Sequence, residues 1–125
     1  MTDILTQYDG VTALVCDTDR PTIATVQDAL DLIGAALSQA EVVAVPATRF
    51  DDAFFTLNTG LAGEIMQKFV NYQLRLVIIG DLSRQLESSS ALRALVHESN
   101  RGQHIWFVAD LDELRTRLTQ AVREG

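Results

Sequence analysis

Three short apolar stretches set the frame of this chain: Val42-Val43-Ala44-Val45, Leu76-Val77-Ile78-Ile79 and the run from His104 to Val108. Between them lie segments whose apolar residues recur at helical spacing. Short β-branched runs of this kind suit strands buried on both faces. Strands that alternate with helices imply a mostly parallel sheet joined by right-handed crossovers. The strands are expected over Glu41 to Val45, ended by Pro46, over Leu74 to Ile79 and over His104 to Val108.

The chain opens differently. Asp9-Gly10 separates Ile4 to Tyr8 from Val11 to Cys16. Asp-Gly favours the positive φ angles of a tight turn, so a β-hairpin is expected there. A turn region follows over Asp17 to Thr22, with Pro21 as a breaker. The first helix carries Val26, Ala29, Leu30, Ile33 and Leu37 on one face, starts at a cap on Thr25 or Thr22, and contains Gly34, a place for close packing. A second helix is expected from Asn58 to Tyr72, capped by Thr59 and lined by Leu61, Ile65, Phe69 and Tyr72. A third starts at Ser89 or Ser90, carries Leu92, Leu95 and Val96, and ends at Asn100-Arg101-Gly102 in a left-handed turn. Asp110 with Glu113 resembles a capping box for the last helix, whose stripe is Leu111, Leu114, Leu118 and Val122. The expected fold is α/β: a four- or five-stranded, mostly parallel sheet with an opening β-hairpin and about four helices. Residues 1–125 are expected to form a single domain.

Charge narrows the partners. Seventeen acidic residues against 10 basic ones give a net charge of -7. Phosphate backbones and anionic bilayers attract basic patches, so neither nucleic acid nor a membrane surface is an expected partner. No apolar run approaches the ~20 residues that span a bilayer. The start, Met1-Thr2-Asp3, lacks the basic and apolar regions of a signal peptide, and a cytoplasmic location is expected. The single cysteine, Cys16, permits no intrachain disulfide and lies in an apolar segment, where a buried thiol is expected.

A long central run, from Phe54-Phe55-Thr56-Leu57-Asn58-Thr59-Gly60-Leu61-Ala62-Gly63-Glu64 through Gln67-Lys68-Phe69 and Asn71-Tyr72, resembles a bacterial domain-of-unknown-function family, the one numbered 4180. The resemblance extends to Ala29-Leu30-Asp31-Leu32-Ile33, Gly80-Asp81, Glu98-Ser99-Asn100-Arg101-Gly102 and Phe107-Val108. It implies no reaction. The order of elements is also similar, more distantly, to STAS domains, the modules of sulfate transporters and anti-sigma-factor antagonists. Antagonists carry Asp-Ser-Ser-Gly or Asp-Ser-Thr-Gly, with a phosphorylatable serine, where this chain has Leu57-Asn58-Thr59-Gly60. Only Thr59 keeps a hydroxyl.

The chemistry-bearing residues fall into groups. Thr59, Gly60, Asp81, Ser83 and Asp110 follow strands or open helices, which places them at the carboxyl edge of the sheet, where open α/β sheets bind ligands. Helix capping by Thr59 and packing by Gly60 and Gly63 are their ordinary roles; a phosphosite or an anion cradle are the alternatives. Asn71, Tyr72, Glu98, Ser99 and Asn100 end two helices and gather at the opposite edge, where capping is again the ordinary role. Glu64 and Lys68, four apart on a helix, are spaced for a surface ion pair. His97 and His104 stand in no metal-ligand pattern, so no metal or cofactor is expected. Phe54 and Phe55 are adjacent rings in one connection; with one plugging the core, the other is expected to be partly exposed as an interface anchor. No nucleophile elbow is present and no catalytic residue is assigned. The expected function is a non-enzymatic binding or regulatory module, STAS-like, that contacts a protein partner or a second copy of itself. The alternative is a small-ligand binder or enzyme using the carboxyl edge.

Overall fold

The computed structural model describes residues 3–19 and 21–124, with backbone only for 122–124; Met1, Thr2 and the Val122 side chain lie outside the described residues. Its centre is one five-stranded sheet whose strands stand in the order of the sequence. β1 (Ile4–Tyr8) and β2 (Val11–Val15) form the hairpin, with Asp9 and Gly10 at φ 51° and 85° as the Asp-Gly turn demands. β2, β3 (Val42–Pro46), β4 (Arg75–Ile79) and β5 (Ile105–Val108) are parallel.

Six α-helices stand among the described residues: α1 (Val26–Ala36), α2 (Asp52–Phe55), α3 (Leu61–Asn71), α4 (Ser83–Ser88), α5 (Ser90–Arg101) and α6 (Leu111–Glu124). Each crossover steps one strand in the same direction, so right-handedness puts α1, α3 and α5 on one face. That face buries Leu14, Val43, Val45, Leu76, Ile78 and Phe107 against Ile33, Ile65, Phe69 and Leu92. α6 returns along the other face, where Leu114 and Leu118 cover Val42, Ala44, Val77 and Trp106. It reaches the hairpin turn, where the Thr119 hydroxyl donates to the Asp9 carboxylate. Burying both faces explains why the strands are continuous apolar runs instead of alternating ones. Among the described residues, no helix is long and apolar enough to cross a membrane.

Several local expectations are corrected. The helix expected from Asn58 begins only at Leu61. Residues Leu57–Thr59 form a 3-10 turn, and Gly60 at φ 79° caps α3 with its backbone. Leu57 and Leu61 stand four apart and extend the periodicity, yet the left-handed Gly60 breaks the helix between them. Gly34 and Gly63 are not packing glycines: a Cβ at either would meet nothing within 4 Å. Gly102 is extended, at φ -93° and ψ -167°, because it leads directly into β5 instead of reversing the chain. Glu64 and Lys68 form no ion pair; the surface pairs among the described residues are Glu98–Arg101 and Asp112–Arg115. Of the alternative caps, Thr25 serves α1 and Ser89 serves α5.

Both phenylalanines of the central connection are buried, Phe54 at 0% and Phe55 at 8% exposure, so the expected exposed anchor is absent. Phe50 is the reason. It adds a third ring, with its centroid 4.3 Å from Phe54 and 6.4 Å from Phe55, and the cluster absorbs both directions. Cys16 is buried at 4%, and its amide donates to Ala44 O at 2.8 Å, extending the ladder past β2.

Candidate functional site

At the carboxyl edge the connections after β4 and β5 part to opposite faces, which leaves a crevice between the two strand ends. A cavity of about 280 Å³ lies there, lined by Gly80, Asp81, Ser83 and Leu86 and by Phe107 and Ala109. The polar groups at its mouth are engaged locally. Asp81 Oδ1 accepts from both the amide and the hydroxyl of Ser83, at 2.9 and 2.5 Å. These two bonds, the hydroxyl's first, hold the Asp81 carboxyl below its ordinary pKa. Asp110 Oδ1 accepts from Glu113 N at 2.9 Å as a helix cap, while Glu113 reaches back to Ala109 N. Thr59, Gly60 and Asp110 do not line this cavity. The Thr59 hydroxyl lies 2.7 Å from Ala53 O and 2.9 Å from Thr56 O, and accepts from Leu61 N at 3.3 Å. Thr59 therefore ties the 3-10 turn to α2 and supports the first amide of α3 from one position further out than a cap. A second, open cleft of about 540 Å³ lies between this turn and the α4–α5 joint, lined by Phe55, Leu57, Asn58, Gln85 and Ser88.

The polar residues of the amino edge do not converge into one network. Asn71 accepts from Gln67 on its own helix, Tyr72 is 48% exposed, Glu98 pairs with Arg101 in solvent, and Ser99 O accepts from Gly102 N. Of this group, Asn100 reaches across elements with its side chain. Its Oδ1 accepts from Phe107 N at 2.7 Å and its Nδ2 donates to Phe107 O at 3.2 Å. The amide N–H and carbonyl of one strand residue point the same way. β5 is bonded to β4 through His104 and Val108, so Phe107 faces away from the sheet. The Asn100 carboxamide stands in for the missing neighbour strand. Ala109, the next outward residue, donates to Glu113 Oε1 at 2.7 Å. Side chains thus cap this edge of the sheet at Phe107 and at the Ala109 amide.

The opposite edge is open. The residues flanking the two-residue turn, Tyr8 and Val11, form a bonded pair, and alternation along the hairpin leaves Leu5 and Gln7 with outward amides and carbonyls. Among the described residues no side chain reaches those groups. Ile4 and Leu5 are 62% and 46% exposed.

Four features lie outside the expectations drawn from the sequence. Trp106, the chain's one tryptophan, is buried, and its Nε1 donates to Gly102 O at 2.8 Å. The guanidinium carbons of Arg75 and Arg117 lie over its ring, at 4.4 and 4.3 Å from the centroid. Arg75 Nε donates to Gln103 O at 2.6 Å, and Arg117 Nη2 to Asn100 O at 2.6 Å. Burial first, then the Arg117 charge, lower the Arg75 pKa, and Glu41 opposes them. Gln73 takes φ 59° in the turn that ends α3. Arg49, 8% exposed, donates to the carbonyls of Pro21 and Asp17, both at 3.1 Å, and so pins the loop that leads into α1. One signal was available: Arg75 has the same strand parity as Val77, which puts its stem on a covered face. No group of three or more His, Cys, Asp or Glu residues that could hold a metal stands together among the described residues.

No curated protein and no solved structure matches the chain. The family model of a domain of unknown function, DUF4180, matches residues 8–118. That span contains all of the sheet except most of the first strand, and on this evidence the chain belongs to the DUF4180 family.

Proposed function

We propose that the chain is a non-enzymatic binding module that works through protein contacts, with the outer edge of β1 as its contact surface. The observation that carries this reading is the contrast between the two edges of the sheet. β5 is capped at Phe107 and at the Ala109 amide by Asn100 and Glu113, whereas no described side chain meets the outward backbone groups of β1, beside exposed Ile4 and Leu5. An open edge is a template for another strand. The occupant that fits is a second copy of the chain. Ile4–Tyr8 itself holds no charged residue, and the flanking Asp3 and Asp9 lie outside the strand. An antiparallel pairing about Thr6 sets each Leu5 opposite Gln7 of the other copy, and both pairs can exchange two backbone bonds. The element order, similar to that of STAS domains, which are regulatory contact modules, supports the same reading and with it a place in the bacterial cytoplasm.

The test is Leu5→Pro. Proline removes an outward amide and is tolerated on an edge strand. Sedimentation of the parent chain over a range of concentrations is expected to show a dimer. The variant is expected to be a monomer with a nearly unchanged unfolding midpoint. A parent chain that stays monomeric throughout, or a Leu5→Pro variant that still dimerises, overturns the proposal.

A further inference from the structure

At the amino edge, under the C-terminal half of α6, lies a cleft of about 510 Å³, within the range of small-molecule sites. Val11, Val42, Leu118 and Ala121 give it an apolar floor, from two strand starts and the helix above them. Arg75 enters from the start of β4, with Gln73 and His104 beside it. We propose that this cleft binds a small organic carboxylate with an apolar body, its carboxylate held by the Arg75 guanidinium and its body lying on Val42, Leu118 and Ala121.

Charge selects the head of the ligand. Arg75 is half-buried, and no carboxylate lies within 4.0 Å of it or of Arg117 among the described residues. Trp106 and the Gln103 carbonyl fix the guanidinium plane by its face and its Nε, which leaves the two terminal nitrogens to meet a ligand. A planar fork of this kind matches a carboxylate through two parallel bonds. A bound anion would offset by its attraction both the burial and the like charge of Arg117 that depress the Arg75 pKa. Glu41, the one carboxylate lining the cleft among the described residues, is turned to the hairpin, where its Oε2 accepts from Thr12 N at 3.3 Å. The floor sets the rest of the ligand: four apolar side chains select against a bare inorganic anion and for a hydrocarbon body.

Trp106 makes the test simple, since it is the only tryptophan and lies under the guanidinium that would bind. The full chain is titrated with octanoate and, separately, with benzoate, at constant ionic strength, while its fluorescence is followed. At least one is expected to give a saturable change. Arg75→Gln is expected to weaken it by about tenfold or more, and Arg75→Lys by less, because only the fork is lost. Glu41→Gln is expected to tighten it, which a purely structural role of these residues would not produce. Ala121→Phe fills the cleft while keeping the Arg75 side chain and is expected to block binding; it also decides the matter should Arg75→Gln fail to fold. The proposal is overturned by no saturable response to either acid, by an equal response to inorganic phosphate, or by binding that survives Ala121→Phe.

Discussion

Asn100 shows how much one side chain can decide here. Its carboxamide has a donor and an acceptor, and Phe107 uses both. Asn100→Ala leaves a partly buried N–H and C=O without partners, and a loss of about 1–3 kcal/mol in urea unfolding is expected. Asn100→Asp is a sharper probe. The carboxylate still accepts from the Phe107 amide but faces the Phe107 carbonyl with a second acceptor. The variant should therefore also lose stability at neutral pH, and recover part of it in acid, where a protonated carboxyl can donate again. Equal stability of parent and Asn100→Asp at neutral pH would contradict the two-bond role. Gln73 makes the opposite case. At φ 59° it occupies a region that suits glycine, at the turn where Leu74 N reaches back to Phe69 O at 3.0 Å. Gln73→Gly is expected to stabilise the chain by about 0.5–1 kcal/mol, read as a raised urea midpoint. The sequence pattern predicts Asn100 at the amino edge with helix capping as its ordinary role; the strand-mimicking geometry instead depends on which way Phe107 faces, which no single residue shows. Arg49 was illegible for a related reason: its partners are carbonyls 28 and 32 residues earlier, and a carbonyl leaves no mark on a sequence.

Elements were legible where a pattern repeats. The buried strands announced themselves as apolar runs, and α1, α5 and α6 as stripes of three or more apolar residues. α4 was missed because Ser83–Ser88 holds one apolar residue, Leu86, and one residue has no period. The helix expected over Asn58 to Tyr72 ends within one residue of α3, at its C-cap Tyr72, but starts ahead of Leu61. The same elements carry a pH signature. Asp28 Oδ2 accepts from Ala24 N and Thr25 N at the head of α1, while Asp81 accepts from Ser83 at the head of α4. For Asp28 the Ala24 amide is the largest cause of a lowered pKa, with burial opposing it; for Asp81 it is the Ser83 hydroxyl. A carboxyl whose folded pKa lies below its unfolded one stabilises the fold when ionised. That contribution is whole above the ordinary carboxylate value of about 4, and is lost as pH falls through the folded value. Urea midpoints are therefore expected to drop on acidification. The drop should be smaller in Asp28→Asn and Asp81→Asn, each starting from a lower midpoint at pH 7. Identical acid profiles in all three proteins would refute this assignment. Gly34 adds a test of the open helix surface. With nothing within 4 Å of an added methyl, Gly34→Ala is expected to gain about 0.5–1 kcal/mol, whereas Gly80, at φ 147° and with Ala47 Cβ 3.2 Å from where its own Cβ would stand, should lose stability on the same change.

For the whole molecule the decisive feature is that an open sheet has two edges, and among the described residues side chains cap only one of them, at Phe107 and Ala109. The closure is made by two side chains, Asn100 on α5 and Glu113 on α6, acting on alternate outward residues of β5 and the residue after it. If the chain associates through β1 as proposed and this cap directs it there, removing the cap should redirect association. Asn100→Ala with Glu113→Ala exposes the Phe107 and Ala109 backbone groups on a strand whose side chains are all apolar, Ile105 to Val108. Such an edge is an aggregation hazard. The double variant is expected to form species larger than a dimer, because each copy then offers two edges, and strand addition at both gives an open chain instead of a closed pair. Combining it with Leu5→Pro should return closed pairs, now joined through β5. Mass measured by light scattering distinguishes the cases. A double variant that remains a dimer, or that merely unfolds without associating further when compared at equal fraction folded, would show that edge closure by Asn100 and Glu113 serves stability alone and does not choose the face on which the protein meets its partner.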